Sequence, residues 1–160
     1  MSLDLYILSE TPIKKRSTGV FIRENGSTRE LETKEEVKKY FPDAEDIQEE
    51  EYETNIVWHG NITHNLGEMA DAVFPKWMSL KHLLWYPYTD VVETSWVDEI
   101  SRCYRELNTN IDKYRKYEKK GEDGKVWGTT EDLLAFVRSL LHSLSEIDYK
   151  NEEYTIEVSR

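Results

Sequence analysis

The alternation of apolar and polar positions predicts strands at both ends of the chain. Apolar residues fall at every second position over 3–7, and the same spacing recurs over 154–158. A two-residue period is typical of a strand, whose side chains alternate between the two faces of a sheet. We expect these two strands to lie together, because a lone terminal strand would leave its backbone groups unpaired. A further strand is predicted over 54–58, and Asn25-Gly26 predicts a tight hairpin.

Helical spacing dominates the second half of the chain. Apolar residues recur every three or four positions over 92–107 and again over 133–144. Thr33 with Glu36, and Thr129 with Asp132, have the spacing of a reciprocal helix cap. We therefore predict an α+β fold. A small, mainly antiparallel sheet, formed by the N-terminal strand, the hairpin and the C-terminal strand, packs against a layer of about four helices.

The length of 160 residues is typical of one domain, so 1–160 is interpreted as a single domain. Within it, 11–53 is interpreted as a hairpin plus an acidic insertion. Its first part, 11–18, is polar and contains Pro12, which favours a loop. The acidic residues concentrate after Pro42, between Asp43 and Glu53.

Charge and cysteine content narrow the classes of function. The formal net charge is -11, which disfavours binding to nucleic acid because like charges repel. The single cysteine, Cys103, lies among apolar residues and is expected to be a buried thiol. No apolar run approaches the ~20 residues of a membrane span, and the N-terminus lacks the pattern of a secretion signal. A cytoplasmic location without membrane contact is expected.

The densest group of uncharged polar residues lies at a predicted strand-to-helix corner, 58–69. We expect Asn61 to cap a helix that begins at the next residue, so that free backbone amides would favour an anion beside His64. His64 is the candidate acid, base or donor, and Asn61 and Asn65 offer both donors and acceptors. Gly67 suggests that another backbone or a ligand comes close there.

Simpler interpretations of the same residues remain open. Asn61 could be a cap alone, and His64 could only bond a neighbouring strand. Trp127 follows a glycine-rich turn and is either a core anchor or a stacking platform. The His64 and Glu68 pair has a spacing that a metal site could use, but such spacings are common by chance. No metal ligand is therefore assigned.

Several segments together resemble a family of small uncharacterised proteins of bacteria and their phages and prophages. Its marks here are an Asn-Ile-Thr-His-Asn-Leu-Gly-x-Met-Ala segment, a Trp-Gly-Thr turn and an Ile-Glu-Val-Ser-Arg ending. The likeness spans most of the chain outside 11–53. It implies no particular reaction. It does imply that five residues form one recurring constellation, namely Asn61, His64, Asn65, Trp127 and Arg160.

Three functions are compatible with these features. The first is a pocket at the corner 58–69 that binds a small polar or anionic ligand, for example a nucleotide-like one, with Arg160 as a fork for a phosphate or carboxylate. The second is an acidic interaction or inhibitor protein of phage or mobile-element origin that binds a host protein. The third is a metal-dependent hydrolase that uses His64 and Glu68. Neither a cofactor, a catalysed reaction nor an oligomeric state is indicated by the sequence.

Overall fold

A computed structural model describes residues 2–24, 27–75 and 79–159, except for the side chain of Ser27. The predicted α+β fold is confirmed. The strands are β1 (Ser2–Ser17), β2 (Phe21–Glu24), β3 (Ser27–Glu30), β4 (Glu50–Thr63) and β5 (Tyr154–Ser159). The helices in these ranges are α1 (Lys34–Tyr40), α2 (Gly67–Ala72), α3 (Leu80–Leu84), α4 (Ser95–Thr109), α5 (Ile111–Tyr114) and α6 (Thr130–Glu146).

The main sheet has three antiparallel strands in the order β4-β1-β5, so the two ends of the chain meet as predicted. Leu5 of β1 lies opposite Gly60 of β4 on one side and Val158 of β5 on the other. Leu3, Leu5 and Ile7 are fully buried on the face that meets the helices. The apolar positions of the alternating pattern therefore lie on the face of the sheet that packs against the helices.

The predicted hairpin strands β2 and β3 pair with each other and form a second sheet, separate from the first. The Asn25-Gly26 turn between them lies outside the described residues, as does Arg160. The hairpin and α1 fill the chain between β1 and β4.

The expectation of a loop over 11–18 is wrong, because β1 continues to Ser17. The pairing of β1 with β4 is irregular between Leu8 and Ile13 and then resumes. Beyond that point the basic end of β1 lies beside the acidic start of β4, with Lys14 Nζ 3.5 Å from Glu51 Oε1. Opposite charges on paired strands thus replace the apolar pattern that marks a strand in sequence.

Asn61 is not a helix cap, because β4 runs on through Thr63. Ile62, which was expected to start the helix, is buried opposite Leu3 of β1. Thr63 has the capping role, and a short 3-10 turn, His64–Leu66, precedes α2. The free energy gained by burying the Ile62 side chain in the sheet outweighs the local preference of asparagine for a cap position.

The predicted helix caps at threonine are confirmed. Thr129 accepts a hydrogen bond from Asp132 N at 3.1 Å, and the Asp132 carboxylate accepts one from Thr129 N at 3.0 Å. Thr33 likewise accepts from Glu36 N at 3.1 Å, but the Glu36 carboxylate accepts from Glu32 N rather than from the cap residue. None of the helices in the described ranges has the length and apolar content needed to cross a membrane.

Candidate functional site

A cavity of about 570 Å³ lies where β4 ends and the chain enters the 3-10 turn. Strand β2, the turn before α6 and the start of α6 complete its wall. The wall carries both polar and apolar groups. The polar residues that line it are Ser2, Arg23, Asn61, Thr63, His64, Asn65 and Asp132, and the apolar residues are Ile62, Leu66, Trp127 and Phe136.

Asn61 is held in one orientation by the neighbouring strand. Its Nδ2 donates a hydrogen bond to Asp4 Oδ1 at 2.8 Å, and His59 Nε2 lies 3.0 Å from the same oxygen. Burial raises the pKa of the Asp4 carboxyl, whereas the hydrogen bonds with Asn61 and His59 lower it. The lowering is larger, so this pKa lies below its ordinary value. Asn61 lines the cavity, and no described residue donates to its carbonyl oxygen, which is therefore available as an acceptor.

The imidazole of His64 lies in the same wall and is half-buried. Its Nδ1 is shielded from solvent and has no hydrogen-bond partner among the described residues. A buried polar atom without a partner costs about 1–3 kcal/mol. Because Nδ1 is closed to solvent in this orientation, a bound group could reach it only after a half-turn of the ring, which exchanges Nδ1 with Cδ2. Among the described residues no hydrogen bond joins the His64 side chain to a neighbouring strand, as the simpler interpretation of this residue would require.

The backbone around Asn65 is fixed by Thr63, whose Oγ1 accepts a hydrogen bond from Asn65 N at 3.3 Å. Asn65 lines the cavity, and its side chain makes no hydrogen bond to the rest of the described chain. Gly128 packs against this turn at a φ of +93°, and a Cβ atom there would come within 2.8 Å of Thr63 Cγ2. The close approach of Gly128 therefore sets one wall of the cavity.

Trp127 lies at the surface with 57% of its area exposed, so the core interpretation of this residue is wrong. A small turn presents it, with Trp127 N donating to Lys119 O at 2.9 Å and Gly121 N donating to Lys125 O at 2.8 Å. The indole lies over Gly121, where an added Cβ would meet its Nε1 at 2.6 Å. An exposed indole beside a polar cavity can stack on a planar group.

The cation in the described part of the wall is Arg23 of β2, and no local pattern along the chain predicts it there. The guanidinium expected at the site was that of Arg160, which lies outside the described residues. Arg23 has no ion pair or hydrogen bond with another described residue. Asp132, the carboxylate in the wall, is engaged by Thr129 N in the cap of α6. Asp132 keeps its negative charge in that cap, so Arg23 is the group that a carboxylate or phosphate in the cavity could pair with.

The other candidate positions do not reach the cavity. Glu68 is exposed and accepts from Lys119 Nζ at 3.2 Å. Apart from its chain neighbours and the backbone of its own helix, nothing described lies within 4 Å of a Cβ added to Gly67, so the expected approach of another backbone is wrong. The approach of a ligand there stays a prediction. No group of three histidine, cysteine, aspartate or glutamate side chains is arranged for a metal ion in the part of the chain that the structure describes.

Cys103 is fully buried in α4, as the sequence indicated. Burial raises the pKa of its thiol to about 12, so the thiol stays protonated at neutral pH. Cys103 is thus part of the core and takes no part in the candidate site.

Comparisons with models of protein families, with curated proteins and with solved structures find no match to this chain. The resemblance to small bacterial and phage proteins stays a prediction.

Proposed function

We propose that the protein binds a small anionic molecule with a planar polar part in the cavity at the end of β4. The observation that carries this proposal is the convergence of Asn61, His64 and Asn65 with Arg23 and Trp127 around one cavity of about 570 Å³. That volume lies within the range of small-molecule sites, about 300–1,000 Å³.

The chemistry of the wall favours a nucleotide-like ligand. The indole of Trp127 offers a stacking surface, and the Arg23 guanidinium offers a fork for a phosphate or carboxylate. The Asn61 carbonyl oxygen, the Asn65 amide and the His64 ring add acceptors and donors that suit the edge of a base or amide. His64 would be the acid or base if the bound molecule is also turned over.

A thermal unfolding screen tests this proposal. The probes are nucleoside mono- and diphosphates, sugar phosphates and small dicarboxylates, each added to the wild-type chain. We expect at least one probe to raise the melting temperature, because a ligand that binds only the folded state stabilises it by mass action. The shift should disappear in Asn61→Ala and His64→Ala.

His142→Ala is the matched control, since His142 lies on α6 with 74% of its side chain exposed. It should leave the shift unchanged. A shift that survives both cavity substitutions, or no shift with any probe, would contradict the proposal. If Asn61→Ala and His64→Ala fail to fold, the two side chains are structural and the proposal is wrong.

A further inference from the structure

A second cavity, of about 710 Å³, lies in the segment between β1 and β4 and shares no lining residue with the first. We call it the acidic groove. Helix α1 and the loop after it form most of its wall. Its apolar side chains are Val20, Val37, Tyr40, Phe41, Pro42, Ala44 and Ile47, and its acidic side chains are Asp43, Glu45 and Asp46.

The loop that borders the groove is held in place by hydrogen bonds near both ends. At its start, Phe41 N donates to Val37 O at 2.7 Å and Ala44 N donates to Phe41 O at 3.1 Å. At its end, the Glu49 carboxylate lies 2.6 Å from Arg16 Nη1 of β1. The groove is therefore formed before any partner arrives, which lowers the entropy lost on binding.

The apolar wall of the groove is only partly covered by the chain itself. Val37 is buried, with 1% of its surface exposed, but Tyr40 and Phe41 beside it are 42% and 45% exposed. Neighbouring large apolar groups that stay exposed at a concave surface are typical of a binding site.

The acidic run of the sequence divides into two parts with different roles. Glu49 and Glu51 face the basic residues Arg16 and Lys14 of β1, so their charges are offset within the chain. In contrast, Asp43, Glu45 and Asp46 make no ion pair or hydrogen bond to another described residue. Their three negative charges are exposed at the rim of the groove.

We propose that the acidic groove binds a basic, amphipathic peptide segment of a partner protein. Apolar side chains of that segment contact Phe41 and the rest of the apolar wall, and its lysine or arginine residues face the three rim carboxylates. Nucleic acid and anionic membrane surfaces are repelled by the same charges, and a second copy of this chain carries the same net charge of -11. This inference does not depend on the ligand cavity.

Selection from a displayed library of random peptides, each about four helical turns long, tests the groove on the full chain. Peptides that bind Phe41→Ser are removed in a counter-selection, and this variant should fold because Phe41 is 45% exposed. We expect the enriched peptides to be net positive, with apolar residues three or four positions apart. Failure to enrich any peptide, or enrichment of neutral or acidic ones, would overturn the proposal.

Two charge variants then distinguish the effect of the groove carboxylates on peptide binding from the effect of the overall negative charge of the protein. The groove variant is Asp43→Asn, Glu45→Gln and Asp46→Asn together. The control carries the same change in charge at exposed positions elsewhere, namely Asp90→Asn, Asp98→Asn and Glu153→Gln.

The affinity of the enriched peptide, measured by fluorescence anisotropy, should fall roughly tenfold in the groove variant and about twofold at most in the control. An equal loss in both variants would mean that only the overall charge matters, and it would overturn the proposal. Self-association of the chain through the groove, seen as a loss of dimer in the Phe41→Ser variant, would also overturn it.

Discussion

Asn61 Nδ2 donates a hydrogen bond to Asp4 Oδ1 at 2.8 Å, from β4 to the adjacent strand β1. The bond fixes the orientation of the amide and leaves its carbonyl oxygen without a partner among the described residues. Since Asp4 lies on the central strand of the main sheet, the orientation of the candidate binding residue is set by the rigid part of the fold.

Replacing Asp4 should weaken ligand binding even though Asp4 itself does not contact the ligand. In Asp4→Ala the Asn61 amide loses its anionic partner and can rotate, so we expect the affinity for a probe that stabilises the wild type to fall about tenfold. Isothermal titration calorimetry measures this change. His59→Ala is the control, because it removes the other partner of Asp4 and leaves the bond to Asn61 in place. Equal losses in the two variants would contradict a positioning role.

Gly128→Ala should destabilise the protein and disturb the cavity wall. Its Cβ would come within 2.8 Å of Thr63 Cγ2 and 3.0 Å of Leu66 Cγ, at a φ of +93°. Two causes contribute, namely backbone strain at a positive φ and the steric clash of the added Cβ. Gly124→Ala has only the first, because Gly124 has a φ of +76° but nothing within 4 Å of the added atom. We expect the free energy of unfolding to fall by about 1 kcal/mol more in Gly128→Ala than in Gly124→Ala, measured by urea denaturation. Equal values would mean that Gly128 does not pack tightly on the turn.

Two further glycines should respond in opposite directions. A Cβ added to Gly60 would lie 2.3 Å from Trp58 Cη2 and 2.6 Å from Phe136 Cε2, so Gly60→Ala should cost about 1–3 kcal/mol. Gly67 has helical dihedral angles and open space around it, so Gly67→Ala should stabilise the fold by up to about 1 kcal/mol. Urea denaturation measures both. A loss of stability in Gly67→Ala would restore the idea of a close approach at that position.

Tyr114→Phe should destabilise the fold in a pH-dependent way. The buried Tyr114 hydroxyl donates to Glu106 Oε1 at 2.8 Å, and this bond is the largest cause that lowers the pKa of Glu106 below its ordinary value of 4.5. A lowered folded-state pKa adds stability above that value, which is lost as the pH falls through the folded-state pKa.

We therefore expect Tyr114→Phe to cost about 1–2 kcal/mol at pH 7 and less in acid, measured by denaturation across this pH range. Tyr104→Phe is the control, since the Tyr104 hydroxyl only accepts from the exposed Arg138, with Nε at 3.1 Å. It should change the stability by less than about 0.5 kcal/mol. A cost for Tyr114→Phe that does not vary with pH would show that Glu106 is not the group involved.

The sequence predicts the parts of the fold that a local or periodic pattern determines. Some features depend only on residues a few positions apart, namely the strands over 3–7 and 154–158 and the caps at Thr33 and Thr129. The structure contains all of them. The second half of β1 has no such pattern. Its partners lie more than thirty positions away, because Lys14 pairs with Glu51 of β4 and Arg16 with Glu49 just before β4.

The candidate site shows the same division. Asn61, His64 and Asn65 lie within one short segment, and their shared location in one cavity follows from that proximity. Arg23 reaches the cavity only because the hairpin folds back toward the end of β4, and no local signal marks it. Asn61 lines the cavity as expected, but the reason differs, because its pairing with Asp4 in the sheet positions it rather than a role as helix cap.

The most direct test of the central claim is a crystal structure of the protein with the probe that most raises its melting temperature. We expect the probe to occupy the cavity at the end of β4, with an atom about 3 Å from Asn61 Oδ1 or from a ring nitrogen of His64. Its planar part should lie along Trp127 and its anionic part beside Arg23. A probe bound elsewhere, with the His64 ring still lacking any partner, would contradict the account.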